Sequence, residues 1–149
     1  MKRITEARKL LDVAANADLA ALKNVYRRLM KEFHPDKFAH SEDERASAEE
    51  KSKDFIAAYH LLVSVAPETR AAGKAEYQQT LATQPVVDFH FEKGTLRIDF
   101  ADGTRYEYFS VPKPVYEKLV YAPSPPRFIR RHIADQFVYR KLSMVEVEA

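Results

Sequence analysis

The feature that most constrains the fold is a change of residue pattern near Pro85. Residues 1–84 are rich in Ala, Lys and Glu and contain one glycine, Gly73, a composition that favours helix. Residues 86–110 alternate apolar and polar side chains between glycine-containing turns, which favours strands. Because the helical part precedes the strands, we predict an α+β fold rather than an alternating α/β fold. The predicted domains are residues 1–84, all helical, and residues 85–149, a small domain with an antiparallel sheet.

Apolar residues recur at helical spacing through the first unit. Asp18 is a suitable N-cap for a helix over 19–33, whose apolar face we interpret as core. A second long helix is predicted over 44–65, a further one to about Leu81, and a short leader over 7–11. The face of the first long helix consists of Leu19, Leu22, Tyr26, Leu29, Met30 and Phe33.

The tripeptide His34-Pro35-Asp36 stands between the two long helices. Proline disfavours helical backbone in the residue before it, so the helix ends there and leaves an exposed loop. Residues 19–38 carry five basic and two acidic side chains, 5 − 2 = +3, although a charged helix face is usually only solvated. A metal site with His40 lacks a fourth good ligand. No nucleophile with an orienting group is marked, so we predict no catalytic residue.

Four segments of the first unit carry a family resemblance. They are KLLDV at 9–13, ADLAALKNVYRRLMKEFHPDK at 17–37, AEEKSKDFIAAYHLL at 48–62 and APETR at 66–70. Residues 5–72 resemble a J domain, the module of DnaJ-type co-chaperones. The resemblance implies docking on the ATPase domain of a DnaK-type chaperone, whose ATP hydrolysis is promoted, so that catalysis occurs in the partner and no cofactor is needed here. By position it assigns the trigger to His34, Pro35 and Asp36, and the docking face to Tyr26, Arg27, Arg28, Lys31 and Lys37.

The chain departs from the J-domain pattern at four positions outside the tripeptide. Asp12 stands where the family usually has glycine, and Ser52 where it usually has a core phenylalanine. Gly73 replaces a common tyrosine, and Phe38 replaces a usual polar residue. We predict that Phe38 folds inward toward Ser52. These changes bear on partner choice more than on fold.

Alternation in the second unit predicts three antiparallel strands within 86–110. Lys93-Gly94 and Asp102-Gly103 are the turn pairs, and the second is a strong hairpin signal. A helix is predicted to start at Pro112 or Pro114, a last short helix to follow Pro126, and a further strand to cover 137–142.

The second unit also resembles a known family. The residues that carry the resemblance are YEY at 106–108, SVPKPVYEKLVYAPS at 110–124 and FIRRHI at 128–133. Residues 95–142 are similar to the KTSC domain, a short bacterial module also found at the C-terminus of some lysyl-tRNA synthetases. Its function is not established, although RNA binding has been suggested for the family. Pro125-Pro126 stand where the family usually has glycine.

Two roles for the second unit remain open. Residues 104–141 carry eight basic and three acidic side chains, 8 − 3 = +5. Tyr106 and Tyr108 could stack on RNA bases while Arg130 and Arg131 contact phosphates, or both tyrosines could simply be core. Alternatively, the strand edges could bind a client protein as an extended peptide.

Composition narrows the remaining function classes. There is no cysteine, which excludes disulfides and thiolate metal sites. The basic N-terminus lacks the apolar run of a signal peptide, and no stretch approaches the ~20 apolar residues of a membrane span. We therefore expect a cytoplasmic co-chaperone whose second domain selects the target, with an RNA-binding protein on a J-like scaffold as the alternative.

Overall fold

The computed structural model describes residues 2–142, which form six α-helices, one short 3-10 helix and four strands. Two compact units divide between Thr69 and Arg70. The predicted α+β class is confirmed, since the first unit is helical and the strands form one antiparallel sheet in the second. No helix within residues 2–142 has both the length and the apolar character needed to cross a membrane.

Local signals set the ends of the first helices. The helices are α1 (Lys2–Leu11), α2 (Leu19–Glu32), α3 (Glu42–Val65) and α4 (Pro67–Thr83), with the 3-10 helix Pro35–Phe38 between α2 and α3. The Asp18 carboxylate accepts a hydrogen bond from the Ala21 amide at 2.8 Å, and Ser41 Oγ accepts one from the Glu44 amide at 3.3 Å. Each cap satisfies an amide without an intrahelical partner. The predicted helices are confirmed, although α1 begins at Lys2 rather than Ala7.

The core of the first unit is supplied mainly by α1 and α3. Ile4 and Leu11 of α1 are buried, as are Phe55 and Leu62 of α3. In the predicted apolar face of α2 only Leu22 is fully buried, and its other five members are half-buried. The face is therefore the packing side of α2, but α2 contributes less buried surface than α1 and α3.

Asp12 ends α1 in a left-handed conformation. Its φ is +55°, a value that glycine adopts at much lower cost than other residues. The Val13 amide donates to the Arg8 carbonyl at 3.0 Å and the Asp12 amide to the Lys9 carbonyl at 3.2 Å, which together form a Schellman motif. The left-handed backbone at this position explains why the family usually has glycine there. Aspartate is among the few other residues that adopt this conformation.

The sheet of the second unit is an antiparallel meander. Its strands are β1 (Val86–Glu92), β2 (Thr95–Phe100), β3 (Arg105–Tyr108) and β4 (Tyr139–Leu142), hydrogen-bonded in that order. Lys93 and Gly94 both have positive φ, as a two-residue hairpin turn between twisted strands requires. Asp102 Oδ1 accepts from the Thr104 amide at 2.9 Å in the next turn. Both predicted turns and the further strand are confirmed.

Helices cover one face of this sheet. The helices α5 (Lys113–Val120) and α6 (Pro125–His132) follow β3, each with proline in its first turn. Leu119 of α5 and Ile129 of α6 join Leu96 and Ile98 of β2 in one buried cluster. The other face is polar: Asp99 Oδ1 lies 3.1 Å from Arg97 Nε, and Arg140 Nε donates to Glu107 Oε1 at 2.8 Å.

Most of α4 belongs with the sheet rather than with the other long helices. Tyr77 and Leu81 are members of the sheet's core cluster, and Thr80 is buried beside them in sequence. The division by contacts at Thr69/Arg70 therefore differs from the predicted one at 84/85. The change of composition at Pro85 marks where helix gives way to strand, whereas packing groups α4 with the strands that follow it.

Candidate partner-docking site

The His-Pro-Asp tripeptide forms the start of the 3-10 helix that follows α2. His34 is its N-cap, with φ −62° and ψ 132°, and Pro35 occupies the first helical position. Extended backbone at His34 is what the following proline imposes. The side chain of His34 is 53% exposed and that of Asp36 is 93% exposed. The loop therefore presents both side chains to solvent, as predicted.

A local hydrogen bond selects the tautomer of the neutral His34 imidazole. The Asp36 amide donates to His34 Nδ1 at 3.2 Å. Because Nδ1 acts as the acceptor, a neutral imidazole carries its proton on Nε2. The Asp36 carboxylate lies 3.6 Å from Nδ1, beyond hydrogen-bond distance. The tripeptide thus offers a donor at His34 Nε2 and an exposed carboxylate at Asp36.

The predicted basic face lies along α2 and continues past the tripeptide. Arg27, Arg28 and Lys31 are exposed on α2, and Lys37 is exposed in the 3-10 helix. Tyr26 differs from them because it is half-buried and its ring stacks on Tyr59 of α3, with centroids 4.1 Å apart and planes at 10°. Tyr26 was predicted both in the apolar face of α2 and in the docking face. The stack on Tyr59 accounts for its place in the apolar face, and its part in docking stays a prediction.

Side chains of α3 hold the end of α2. Ser52, 6% exposed, donates from Oγ to the Phe33 carbonyl at 3.2 Å. The Phe33 ring lies 5.4 Å from that of Phe55, and Lys51 Nζ lies 5.2 Å from its centroid. Sequence reasoning noted Ser52 as a departure from the family but did not anticipate this bond. Phe38 is half-buried, and its packing against Ser52 stays a prediction.

The tyrosines predicted as an RNA-stacking platform are core residues instead. Tyr106 is 2% exposed and Tyr108 is 0% exposed. The two do share one face of β3, on which Tyr77 of α4 meets Tyr106 edge-on and Tyr139, paired with Tyr108 across β3 and β4, lies beside Tyr108. Neither ring can stack on a base, so this part of the RNA hypothesis is wrong. The reason is that a small domain has to bury most of its aromatic side chains.

Tyr77 and Tyr139 complete a buried cluster that sequence reasoning missed. Tyr77 stacks on Tyr139, with centroids 4.0 Å apart, and meets Tyr106 edge-on at 4.8 Å. Its hydroxyl lies 2.7 Å from that of Tyr108 and 3.3 Å from the Ala134 carbonyl. Tyr108 can therefore donate to Tyr77, which in turn donates to Ala134. The sequence feature that could have placed Tyr77 in this core is its four-residue spacing from Leu81, which puts both side chains on one face of α4.

Burial shifts the acid–base behaviour of this cluster. Burial, reinforced by the nearby Glu76 carboxylate, raises the pKa of Tyr106 to about 12. Burial also raises the pKa of Tyr77 and of Tyr108 beyond the normal range for tyrosine. These side chains remain neutral at any physiological pH, as expected for core residues rather than for acid–base catalysts.

The arginines of the predicted RNA surface lie on α6. Arg130 and Arg131 are both exposed, and Arg130 Nη1 also donates to the Leu81 carbonyl at 3.0 Å. Three other basic residues of this unit form ion pairs: Arg105 with Asp99, Arg140 with Glu107, and Lys141 with Glu76. Two of these partners, Asp99 and Glu76, lie outside residues 104–141, so the net charge counted over that range overstates the charge that a phosphate backbone would meet.

Metal binding gains no support from this geometry. Within residues 2–142 no three His, Asp or Glu side chains converge in a way that could hold a metal ion. His40, the third member of the alternative metal set, lies 3.3 Å from Glu44 instead, through Nε2 and Oε2.

Two protein-family models match the chain, one in its helical part and one in the part that contains the sheet. Residues 8–72 match the model of the DnaJ domain, and residues 86–137 match that of the KTSC domain. The chain carries a DnaJ domain followed by a KTSC domain. Both resemblances stated from the sequence are confirmed, and the exposed His34-Pro35-Asp36 tripeptide lies inside the DnaJ domain.

Curated relatives match shorter segments. A lysine–tRNA ligase of Nostoc sp. is 45% identical over 49 residues, which are 33% of this chain and 9% of the relative. The co-chaperone protein DjlA of Vibrio vulnificus is 40% identical over 63 residues, 40% of this chain and 22% of the relative. A curved DNA-binding protein of Pseudomonas syringae pv. tomato is 43% identical over 63 residues, 42% of this chain and 18% of the relative. The chain thus spans about a fifth or less of each of these relatives.

Proposed function

We propose that this chain is a J-domain co-chaperone that stimulates ATP hydrolysis by a DnaK-type chaperone. The observation that carries the proposal is the exposed His34-Pro35-Asp36 tripeptide at the end of the basic helix α2, within a DnaJ domain. The similarity to a protein named as a co-chaperone is consistent with it.

The physical chemistry of the site suits this role. The basic side chains of α2 favour encounter with an acidic partner surface, and this attraction weakens with salt. Pro35 restricts the loop and so lowers the entropy lost on binding. His34 Nε2 and the Asp36 carboxylate then supply a donor and an acceptor that can favour one conformation of the partner. The chain itself needs no catalytic group and no cofactor.

Single-turnover ATP hydrolysis by the chaperone, with and without this protein, tests the proposal. His34→Gln is expected to abolish the stimulation, because the substitution replaces the imidazole that carries the donor. His40→Gln is the matched control: it makes the same exchange at an exposed histidine beyond the tripeptide and is expected to stimulate like the wild type. Failure of the wild type to stimulate any DnaK-type partner would overturn the proposal.

The second unit is proposed to select the target that is brought to the chaperone. It has its own buried core, and its outer strands β1 and β4 leave sheet edges that an extended peptide of a client could extend. In this arrangement the DnaJ domain stimulates the chaperone and the KTSC domain binds the target. Cytoplasmic localisation remains part of this proposal.

RNA is a second candidate target, favoured by the similarity to a protein named as a lysine–tRNA ligase. With both tyrosines buried, such binding would rest on phosphate contacts from Arg130 and Arg131. Fluorescence anisotropy with labelled tRNA at two salt concentrations would measure it. Binding that falls steeply with salt and is lost in Arg131→Ala, but kept in Lys93→Ala, would favour this target. Equal loss in both variants, or no binding by the wild type, would dismiss it.

A further inference from the structure

Three side chains of α3 hold Phe33, the residue that immediately precedes the tripeptide. Ser52 donates to its carbonyl at 3.2 Å, and Phe55 contacts its ring with centroids 5.4 Å apart. Lys51 places Nζ 5.2 Å from the centroid of the same ring. Ser52 and Phe55 are both buried, but of the three side chains Ser52 alone reaches the backbone of Phe33, whereas Phe55 and Lys51 reach its ring.

The hydrogen bond to the Phe33 carbonyl acts directly on His34. This carbonyl is among those at the end of α2 that have no intrahelical partner. It shares a planar peptide unit with the His34 nitrogen, so that fixing the direction of the C=O group also fixes the plane from which His34 starts. On the C-terminal side of His34, the ring of Pro35 fixes the φ angle of Pro35 and disfavours helical backbone at His34. Ser52 and Pro35 therefore constrain the histidine from its two ends.

We propose that Ser52 is a positioning residue that holds the His-Pro-Asp tripeptide in the conformation recognised by the chaperone partner. The inference rests on the proposed co-chaperone function, which it deepens by naming a residue outside the tripeptide and outside the basic face. Where the family usually places a phenylalanine, this chain has a hydroxyl. The hydroxyl makes a hydrogen bond to the Phe33 carbonyl that a phenylalanine at position 52 could not make.

Three variants separate positioning from general stability. Ser52→Ala removes the hydroxyl at a helical site where alanine is a better helix former, so the first unit is expected to fold. Ser52→Thr keeps a hydroxyl on the same helix. Ser64→Ala is the matched control, because Ser64 also donates to a backbone carbonyl, that of Leu61 at 2.7 Å, but lies in the last turn of α3.

Two readouts are made on the full chain below its unfolding temperature. In single-turnover ATPase assays with limiting co-chaperone, Ser52→Ala is expected to stimulate about two- to tenfold less than the wild type, the factor that corresponds to losing one net hydrogen bond. Ser52→Thr and Ser64→Ala are expected to stimulate like the wild type. In ¹H–¹⁵N NMR spectra, Ser52→Ala should shift or broaden the amide signals of His34, Asp36 and Lys37, which Ser64→Ala leaves in place.

The outcomes distinguish this inference from the proposed function. Unchanged stimulation and unchanged amide signals in Ser52→Ala would overturn the inference while leaving the co-chaperone role intact. An equal loss of stimulation in Ser52→Ala and Ser64→Ala would also overturn it, since a remote hydroxyl would then matter as much. If the wild type stimulates no DnaK-type partner, the co-chaperone role fails, and the positioning role with it, because no partner then recognises the tripeptide through this activity.

Discussion

At the scale of single residues, the hydroxyl group of Tyr77 joins two buried polar groups of the second unit. The Tyr77 hydroxyl lies between that of Tyr108 and the Ala134 carbonyl, so it serves both as acceptor and as donor. A buried polar group is costly unless it is hydrogen-bonded, and here each hydroxyl satisfies the next. The two rings that predicted an RNA surface, those of Tyr106 and Tyr108, therefore both contact Tyr77 inside the core.

Tyr77→Phe is expected to lower the free energy of unfolding by about 1–3 kcal/mol. The substitution keeps the stack on Tyr139 but leaves Tyr108 without its hydroxyl partner in a site with no exposed surface. Urea denaturation followed by circular dichroism would measure the change. Tyr121→Phe is the matched control: this side chain is 84% exposed, and its variant should stay within about 0.5 kcal/mol of the wild type. Equal stability of the two variants would contradict the assignment of the hydroxyl network.

At the scale of elements, α2 combines two tasks on two sides. One side buries Leu22 and packs on α3 through the stack of Tyr26 on Tyr59. The other side presents Arg27, Arg28 and Lys31 to solvent. Because exposed ion pairs contribute little to stability, the basic side is available for binding at small cost to the fold. Binding and stability should then respond to different substitutions on the same helix.

Arg27→Ala/Arg28→Ala should raise the concentration needed for half-maximal ATPase stimulation by roughly tenfold at low salt, without unfolding α2. The difference from the wild type should shrink as salt is added, because the lost interactions are screened. Lys113→Ala/Lys118→Ala on α5 removes the same charge from exposed sites of the second unit and should leave the concentration unchanged. A similar loss in both double variants would instead indicate a dependence on net charge alone.

At the scale of the whole molecule, the described chain contains two separate cores of different chemistry. The first unit is held by aliphatic side chains and phenylalanine, among them Ile4, Leu11 and Phe55. The second adds a tyrosine cluster from α4, β3 and β4, in which burial raises the pKa of Tyr106 to about 12 and that of Tyr77 and Tyr108 further. The two units should therefore respond differently to alkaline pH.

Stability of the second unit is expected to fall as the pH rises from about 10 to about 12. In the unfolded chain tyrosine ionises near its ordinary pKa of about 10, whereas the folded cluster keeps its protons to higher pH. The unfolded state thus binds fewer protons in this range, and the free energy of unfolding decreases by up to about 1.4 kcal/mol per pH unit for each such tyrosine. Below about pH 10 these groups contribute no pH dependence.

Urea denaturation at several pH values, followed by signals assigned to β2 and to α3 in NMR spectra, would test this expectation. Signals of β2 should be lost at lower urea as the pH rises, and the slope should be shallower in Tyr77→Phe, which has one titrating group fewer. A stability of the second unit that stays constant up to about pH 12 would contradict the burial of the cluster.

The sequence alone determined the elements, the turns and the tripeptide, because each depends on residues close together in the chain. Asp18 caps α2, Pro35 ends helical backbone at His34, and glycine supplies the positive φ at Gly94 and Gly103. Alternation predicted which face of β3 carries Tyr106 and Tyr108, but not whether that face meets water or protein.

Only the tertiary structure decided that question, because the partners come from distant parts of the chain. Tyr77 meets Tyr108 across 31 residues, and Ser52 meets the Phe33 carbonyl across 19. The assignment of α4 to the sheet followed from the same long-range packing. A sequence states which side chains could be buried or bonded, whereas the choice among candidate partners depends on the packing of whole elements, which no local pattern encodes.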